Sequence, residues 1–304
     1  MRARRVGITA LALLLLAGCS AATGASGLVP PSDDYTGVRF VDDVDFGGPD
    51  GIRLDVCLPE STPAGGSPTV LAVHGGGWRE GDKGQPVWRD SCAWLASEGF
   101  AVFQPNYRLA PEHVFPAALE DLETAVRWLR QPQQVERYGH DPSRLAGFGD
   151  SAGGNLVALL ATRGAGAGLD AVVELSAPID LTAAGAQLGG LGEGFQQVQL
   201  DYLGCAALPD CAAAAGASPM HHVDAGDPPF LIVHSLGDFI PFEQSEAFAL
   251  RLGEAGVDAE LVPVEGSEHA LGMLDGDLRE RIASWLRERL AGAERSAGAE
   301  RPAG

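Results

Sequence analysis

Leu145-Ala146-Gly147-Phe148-Gly149-Asp150-Ser151-Ala152-Gly153-Gly154 leads from a short apolar strand over 145–148, through a glycine-flanked serine, into a helix predicted over 152–162. A G-x-S-x-G match in this setting marks a strand-to-helix turn so sharp that side chains on either side of the serine would collide, which is why glycines stand there. Ser151 is thereby lifted into the open at the C-terminal end of its strand. Its backbone sits at the positive end of a helix dipole.

Outward from this turn the chain keeps one rhythm. Upstream, strands over 38–46 and 52–58 flank Gly47-Gly48-Pro49-Asp50-Gly51, a connection suited to an antiparallel hairpin. A strand over 69–73, a helix over 87–98, a strand over 100–104 and an amphipathic helix over 117–129 follow. Downstream come strands over 171–175, 230–234 and 259–264, with helices over 242–255 and about 277–290. Apolar strands alternating with helices require a mostly parallel sheet covered on both faces, a doubly wound α/β fold with an antiparallel start. The Gly- and Ala-rich stretch of about 180–219 breaks the rhythm and is expected to form a small cap above the sheet. No internal repeat or linker divides the domain, expected over 38–292.

His74-Gly75-Gly76-Gly77-Trp78 directly follows the strand over 69–73. Successive glycines let backbone N–H groups turn toward one point, where they can hold an oxyanion in place of water. Gly76 and Gly77, with the N–H of Ala152, are the expected donors; Trp78 is expected either to pack in the core or, being next to the hole, to wall an acyl pocket. A serine hydroxyl is a poor nucleophile near neutral pH, so a histidine must take its proton and a carboxylate must fix that histidine's tautomer. His269 lies in a loop just past the last strand and leads over His221 and His222 in the cap and over His234 in an apolar strand. Asp238, in the loop after the strand over 230–234, is the expected acid, with Asp180 in reserve.

With Asn106-Tyr107-Arg108-Leu109-Ala110-Pro111-Glu112 and Phe115-Pro116-Ala117-Ala118 between them, these landmarks resemble the hormone-sensitive-lipase-type and feruloyl-esterase-like carboxylesterases of the α/β-hydrolase superfamily. The resemblance runs from about Val38 to Leu290. It implies an eight-stranded sheet, no cofactor, and hydrolysis of short acyl esters through an acyl-enzyme, with Ser151, Asp238 and His269 as the triad. The segment 106–112 is expected to hold the loop after its strand. The acid motif is closer to the feruloyl-esterase-like branch, with His234 four residues before Asp238, but Pro241 comes one position early. Candidate substrates are an acylated saccharide fragment, a lipid or a xenobiotic ester. The alternatives are a binding module that keeps the fold without the chemistry, and an amide or formamide hydrolase of the same fold.

The N-terminus carries Arg2, Arg4 and Arg5, an apolar run too short to cross a bilayer, and Leu16-Ala17-Gly18-Cys19. This pattern predicts a lipoprotein signal peptide over 1–18, lipidation of Cys19, a flexible tether over 19–37, and an exported protein held at the cell surface through that lipid anchor alone. A disordered tail is expected over 293–304. Four further cysteines in an exported chain imply two disulfides. Cys205 and Cys211 are close in sequence in a cap loop with no core to hold it, which leaves Cys57 with Cys92. No cysteine–histidine spacing resembles a metal site. With 41 acidic against 21 basic residues, a net charge of −20, nucleic acid and anionic headgroups are poor partners and a small-molecule ester is the expected one.

Overall fold

A computed structural model describes residues 35–163 and 168–297. The signal peptide, Cys19 and most of the expected tether lie outside the described residues. Eight strands form one sheet in the order β1-β2-β4-β3-β5-β6-β7-β8. They are β1 (Arg39–Asp45), β2 (Arg53–Leu58), β3 (Ser67–Val73), β4 (Ala101–Pro105), β5 (His140–Asp150), β6 (Ala171–Leu175), β7 (Phe230–Ser235) and β8 (Ala259–Val264). β1 and β2 pair antiparallel, and β2 meets β4 antiparallel. From β4 to β8 every pairing is parallel.

Parallel strands must be covered on both faces, and successive side chains alternate between two cores. Leu71 and Val73 of β3 enter the core beneath α2 (Ala117–Leu129), α3 (Pro132–Tyr138), α4 (Ser151–Thr162) and α8 (Phe242–Glu254). Val70 and Ala72 enter the other, beneath α1 (Pro86–Ser97) and α9 (Gly276–Ala297). α4 is buried along its whole length, which explains why it is apolar all round, unlike a surface helix with one polar face.

Between β6 and β7 the chain rises into α5 (Ala183–Gln187), α6 (Glu193–Leu203) and α7 (Ala213–Gly216). The excursion closes on itself: the N–H of Met220 donates to the carbonyl of Ile179 at 3.4 Å, and that of Leu181 to Ser218 Oγ at 2.8 Å. Two disulfides are formed, Cys57–Cys92 joining β2 to α1 and Cys205–Cys211 closing the loop after α6.

Several boundaries differ from the sequence reading. α9 runs to Ala297, into the segment expected to be a disordered tail, because Ala293, Glu294 and Arg295 continue a good helix-forming run. The end of the expected tether is docked: Tyr35 accepts a hydrogen bond from Arg279 at 2.9 Å. β5 begins at His140, five residues before the apolar run, and α3 was not foreseen. No helix among the described residues is long and apolar enough to cross a membrane.

Candidate active site

The turn from β5 to α4 is held by atoms that leave no room for side chains. A Cβ on Gly149 would lie 2.4 Å from the carbonyl oxygen of Gly153, and one on Gly153 only 2.0 Å from that of Val73. Ser151 begins α4 at φ 49°, a left-handed conformation rare for a residue with a Cβ. Trp78, Ser176 and Ala270 share it, so four of the six such residues among those described surround this turn. Strain of this kind persists where the surroundings over-determine the backbone.

Ser151 and His269 line one cavity of about 500 Å³, together with Gly75, Gly76 and Gly77. No hydrogen bond joins Ser151 to His269 among those of the described residues, as is common before substrate draws such a pair together. His269 Nδ1 donates to Asp238, 2.9 Å from both carboxylate oxygens. That contact fixes the proton on Nδ1 and leaves Nε2 free to accept one. Burial would raise the Asp238 carboxyl, but the hydrogen bond and charge of His269, the Ser176 hydroxyl and the Ile240 N–H outweigh it and hold it below the usual carboxylate range.

The acid and histidine loops are sewn to each other. Gly237 N–H donates to Gly266 O at 2.8 Å, Leu236 N–H to Val264 O at 2.9 Å, and Ser235 Oγ to Glu268 O. The early Pro241 precedes α8 directly, and Asp238 still reaches His269. His234 is fully buried: its Nε2 donates to Ile240 O at 2.9 Å and its Nδ1 meets Ser245 Oγ at 2.7 Å, which pins the acid loop from below. Asp180, the reserve acid, accepts the Thr182 N–H and pairs with His221 at 3.4 Å, away from the cavity wall.

On the glycine side, Gly76 and Gly77 adopt φ 112° and 59°. A Cβ on Gly76 would strike Glu80 O at 2.1 Å, so only glycine fits this loop. Ala152, second residue of α4, has one of the N–H groups that a helix start leaves without an intrahelical partner. The segment 106–112 braces the loop: Tyr107 stacks on His74 at 4.3 Å and donates to its carbonyl at 2.8 Å, while Ala110 N–H donates to Trp78 O at 2.8 Å. Trp78 itself is a correction. It is completely buried, stacks on Tyr202 of α6 at 4.4 Å and does not line the cavity, whose apolar lining is Phe195 and Val198 of α6, Phe239, and Val87 and Trp88 of α1.

A model of the BD-FAE family matches residues 54–252, well over half of the chain. The chain belongs to the BD-FAE family. This BD-FAE chain is 32% identical over 239 residues to ethyl acetate hydrolase of Pseudomonas putida, covering 72% of each. It is 37% identical over 136 residues to arylacetamide deacetylase of Bos taurus, where the match takes in 44% of this chain but spans only 33% of the relative. A truncated carbohydrate esterase from gut microbiota superposes with a TM-score of 0.73 at 23% identity, covering 86% of this chain and 99% of that one, which establishes the α/β-hydrolase fold.

Sequence reasoning passed over several residues at this BD-FAE site. Asp150 is buried beside Ser151, its carboxyl pushed up to about 6 by burial against the opposing charge of His269 and the N–H groups of Gly75 and Leu271. Phe239, half exposed, rests on the His269 ring at 4.4 Å and meets Phe195 edge-on at 5.6 Å. The Phe195 contact depends on a fold-back of α6 that no local pattern announces.

Proposed function

We propose that this protein is a serine carboxylesterase that hydrolyses short-chain acyl esters through an acyl-enzyme. The two-oxygen contact of Asp238 with His269, in a cavity that also presents Ser151, carries the reading. Ser151 Oγ attacks the ester carbonyl while His269 Nε2 takes its proton. The oxyanion is held by N–H groups of Gly76, Gly77 and Ala152. Collapse returns the proton from His269 to the departing alcohol and leaves the acyl group on Ser151. Water, deprotonated by the same nitrogen, then releases the acid. Asp238 keeps its charge throughout and stabilises the imidazolium. Metal ions and cofactors have no part in this scheme.

A short acyl group is favoured by the apolar wall of Phe195, Val198 and Phe239 close to the reacting centre, and by the relative named for ethyl acetate. Turnover of para-nitrophenyl acetate, abolished by a serine-directed phosphonate that labels Ser151, is the expected result; a para-nitrophenyl laurate rate exceeding the acetate rate would overturn the short-chain assignment.

The proposal extends to location. Leu16-Ala17-Gly18-Cys19 and the two disulfides support export, with Cys19 lipidated and the domain held at a membrane surface. Incorporation of labelled palmitate into the full chain, lost in Cys19→Ala, tests it.

A further inference from the structure

β6 ends at Leu175, and the next residue turns sharply: Ser176 has φ 52°, while its N–H donates to Val233 O at 2.9 Å on the neighbouring strand. The turn is clamped from the other side, where Glu174 Oε2 accepts the Ala177 N–H at 2.9 Å. Ser176 is completely buried, so no bulk water competes for its hydroxyl. That hydroxyl accepts the N–H of Ala270 at 3.1 Å and lies close enough to Asp238 to favour its carboxylate form. Ala270 takes a lone pair of that oxygen, which leaves the O–H available to the neighbouring carboxylate, a group that can only accept. Ala270 directly follows His269 and is itself left-handed, at φ 56°.

We propose that Ser176 is a positioning residue for the Asp238–His269 pair, its single hydroxyl orienting the acid and, through the Ala270 N–H, the backbone that carries the histidine. The inference rests on the serine-esterase reading above. Asp238 is also approached by the Ile240 N–H at 3.1 Å and by His234 Nε2 at 3.7 Å. Both of those belong to the acid's own loop or strand. Ser176 follows the end of β6, holds the histidine loop through Ala270 and stands beside the acid, so it sets one relative to the other. Glycine adopts a left-handed φ without strain, yet a residue with a Cβ stands here, and what the serine adds is its hydroxyl.

Ser176→Ala and Ser176→Gly separate this role from a structural one. Steady-state kinetics on para-nitrophenyl acetate, normalised to the serine sites titrated by a phosphonate, should show kcat per competent site lowered about 10- to 100-fold with KM little changed, the loss expected for one hydrogen bond to a charged group. Thermal melts should place Ser176→Gly at or above Ser176→Ala, because glycine relieves the backbone. Wild-type kcat per titrated site in either variant would overturn the proposal, whatever its melting temperature. Ser151→Ala is run alongside: if it still turns over substrate, the serine-esterase reading falls and takes this role with it; if it is inactive while Ser176→Gly is fully active, the Ser176 assignment alone falls.

Discussion

Ser151 occupies a backbone conformation that costs of order 1–3 kcal/mol, and the glycines around it remove the collisions that would otherwise forbid it. The expected consequence is an all-or-none dependence on its hydroxyl. Ser151→Ala should lower kcat by about a million-fold, to the remainder supplied by binding and the N–H donors, and His269→Ala should add little to it, since the two act as a unit. Single-turnover measurement on para-nitrophenyl acetate checks both, and an additive double mutant would mean that the residues act separately. Asp238→Asn should keep the fold and cost about four orders of magnitude in kcat, because an amide lets His269 adopt the wrong tautomer. Asp180→Asn should be near neutral, its partners being Thr182 and His221; the reverse ranking in kcat/KM would move the acid to Asp180. Ser151, His269 and Asp238 were legible as candidates because each follows a strand in a recognisable turn. The pocket role for Trp78 fails and its packing role holds, because adjacency to the glycine loop says nothing of which way a side chain turns, and the ring lies in the core.

Among the elements, β6 carries a visible irregularity. Ala171-Val172-Val173-Glu174-Leu175 places one acid inside an otherwise apolar strand, and the structure buries it completely. Burial, only partly opposed by the Ala177 N–H, pushes the Glu174 carboxyl from 4.5 up to about 8. The folded protein therefore holds a proton that the unfolded chain has released, and this contribution to stability, fully present below pH 4.5, is lost as the pH rises toward about 8. Glu174→Gln keeps an acceptor for Ala177 without the titration. Its melting temperature relative to wild type should rise steadily between about pH 5 and pH 8, by the equivalent of a few kcal/mol; a difference that does not vary with pH would show that Glu174 is ionised in the fold. The strand exposes how far periodicity reaches. Apolar runs located all eight strands, whereas the polar residues 140–144 become strand only because β3 offers partners, Ser67 opposite His140 and Pro68 opposite Asp141. α3 was marked by Pro132 at its start and left-handed Gly139 at its end, but its seven residues are too few to show a period.

At the scale of the molecule, the two disulfides restrain different things. On the chain-entropy model the link across 35 residues between β2 and α1 is worth about 4 kcal/mol and the link across 6 residues about 2 kcal/mol. Cys205→Ala with Cys211→Ala should therefore lower global stability less than Cys57→Ala with Cys92→Ala, as read from urea midpoints at equal m-value. The opposite order would mean that the cap, not the sheet, limits unfolding. The cap's helices were not legible individually, because their packing is set by long-range contacts such as Tyr202 on Trp78 and Arg79 with Asp201.

The clasp at the foot of the cap has an evolutionary reading. Ile179 and Met220 lie side by side, so the forty residues between them enter and leave the sheet at one point. Ser151, His269 and Asp238, with the loops that bind them to one another, all lie outside that interval. A segment inserted this way is free to diverge, lengthen or be exchanged while the chemistry beneath is inherited unchanged, and selection for a new ester acts first on Phe195 and Val198, the part of the wall that the insert supplies. Lineages descended from such a protein would differ in what they admit long before they differ in how they cleave it.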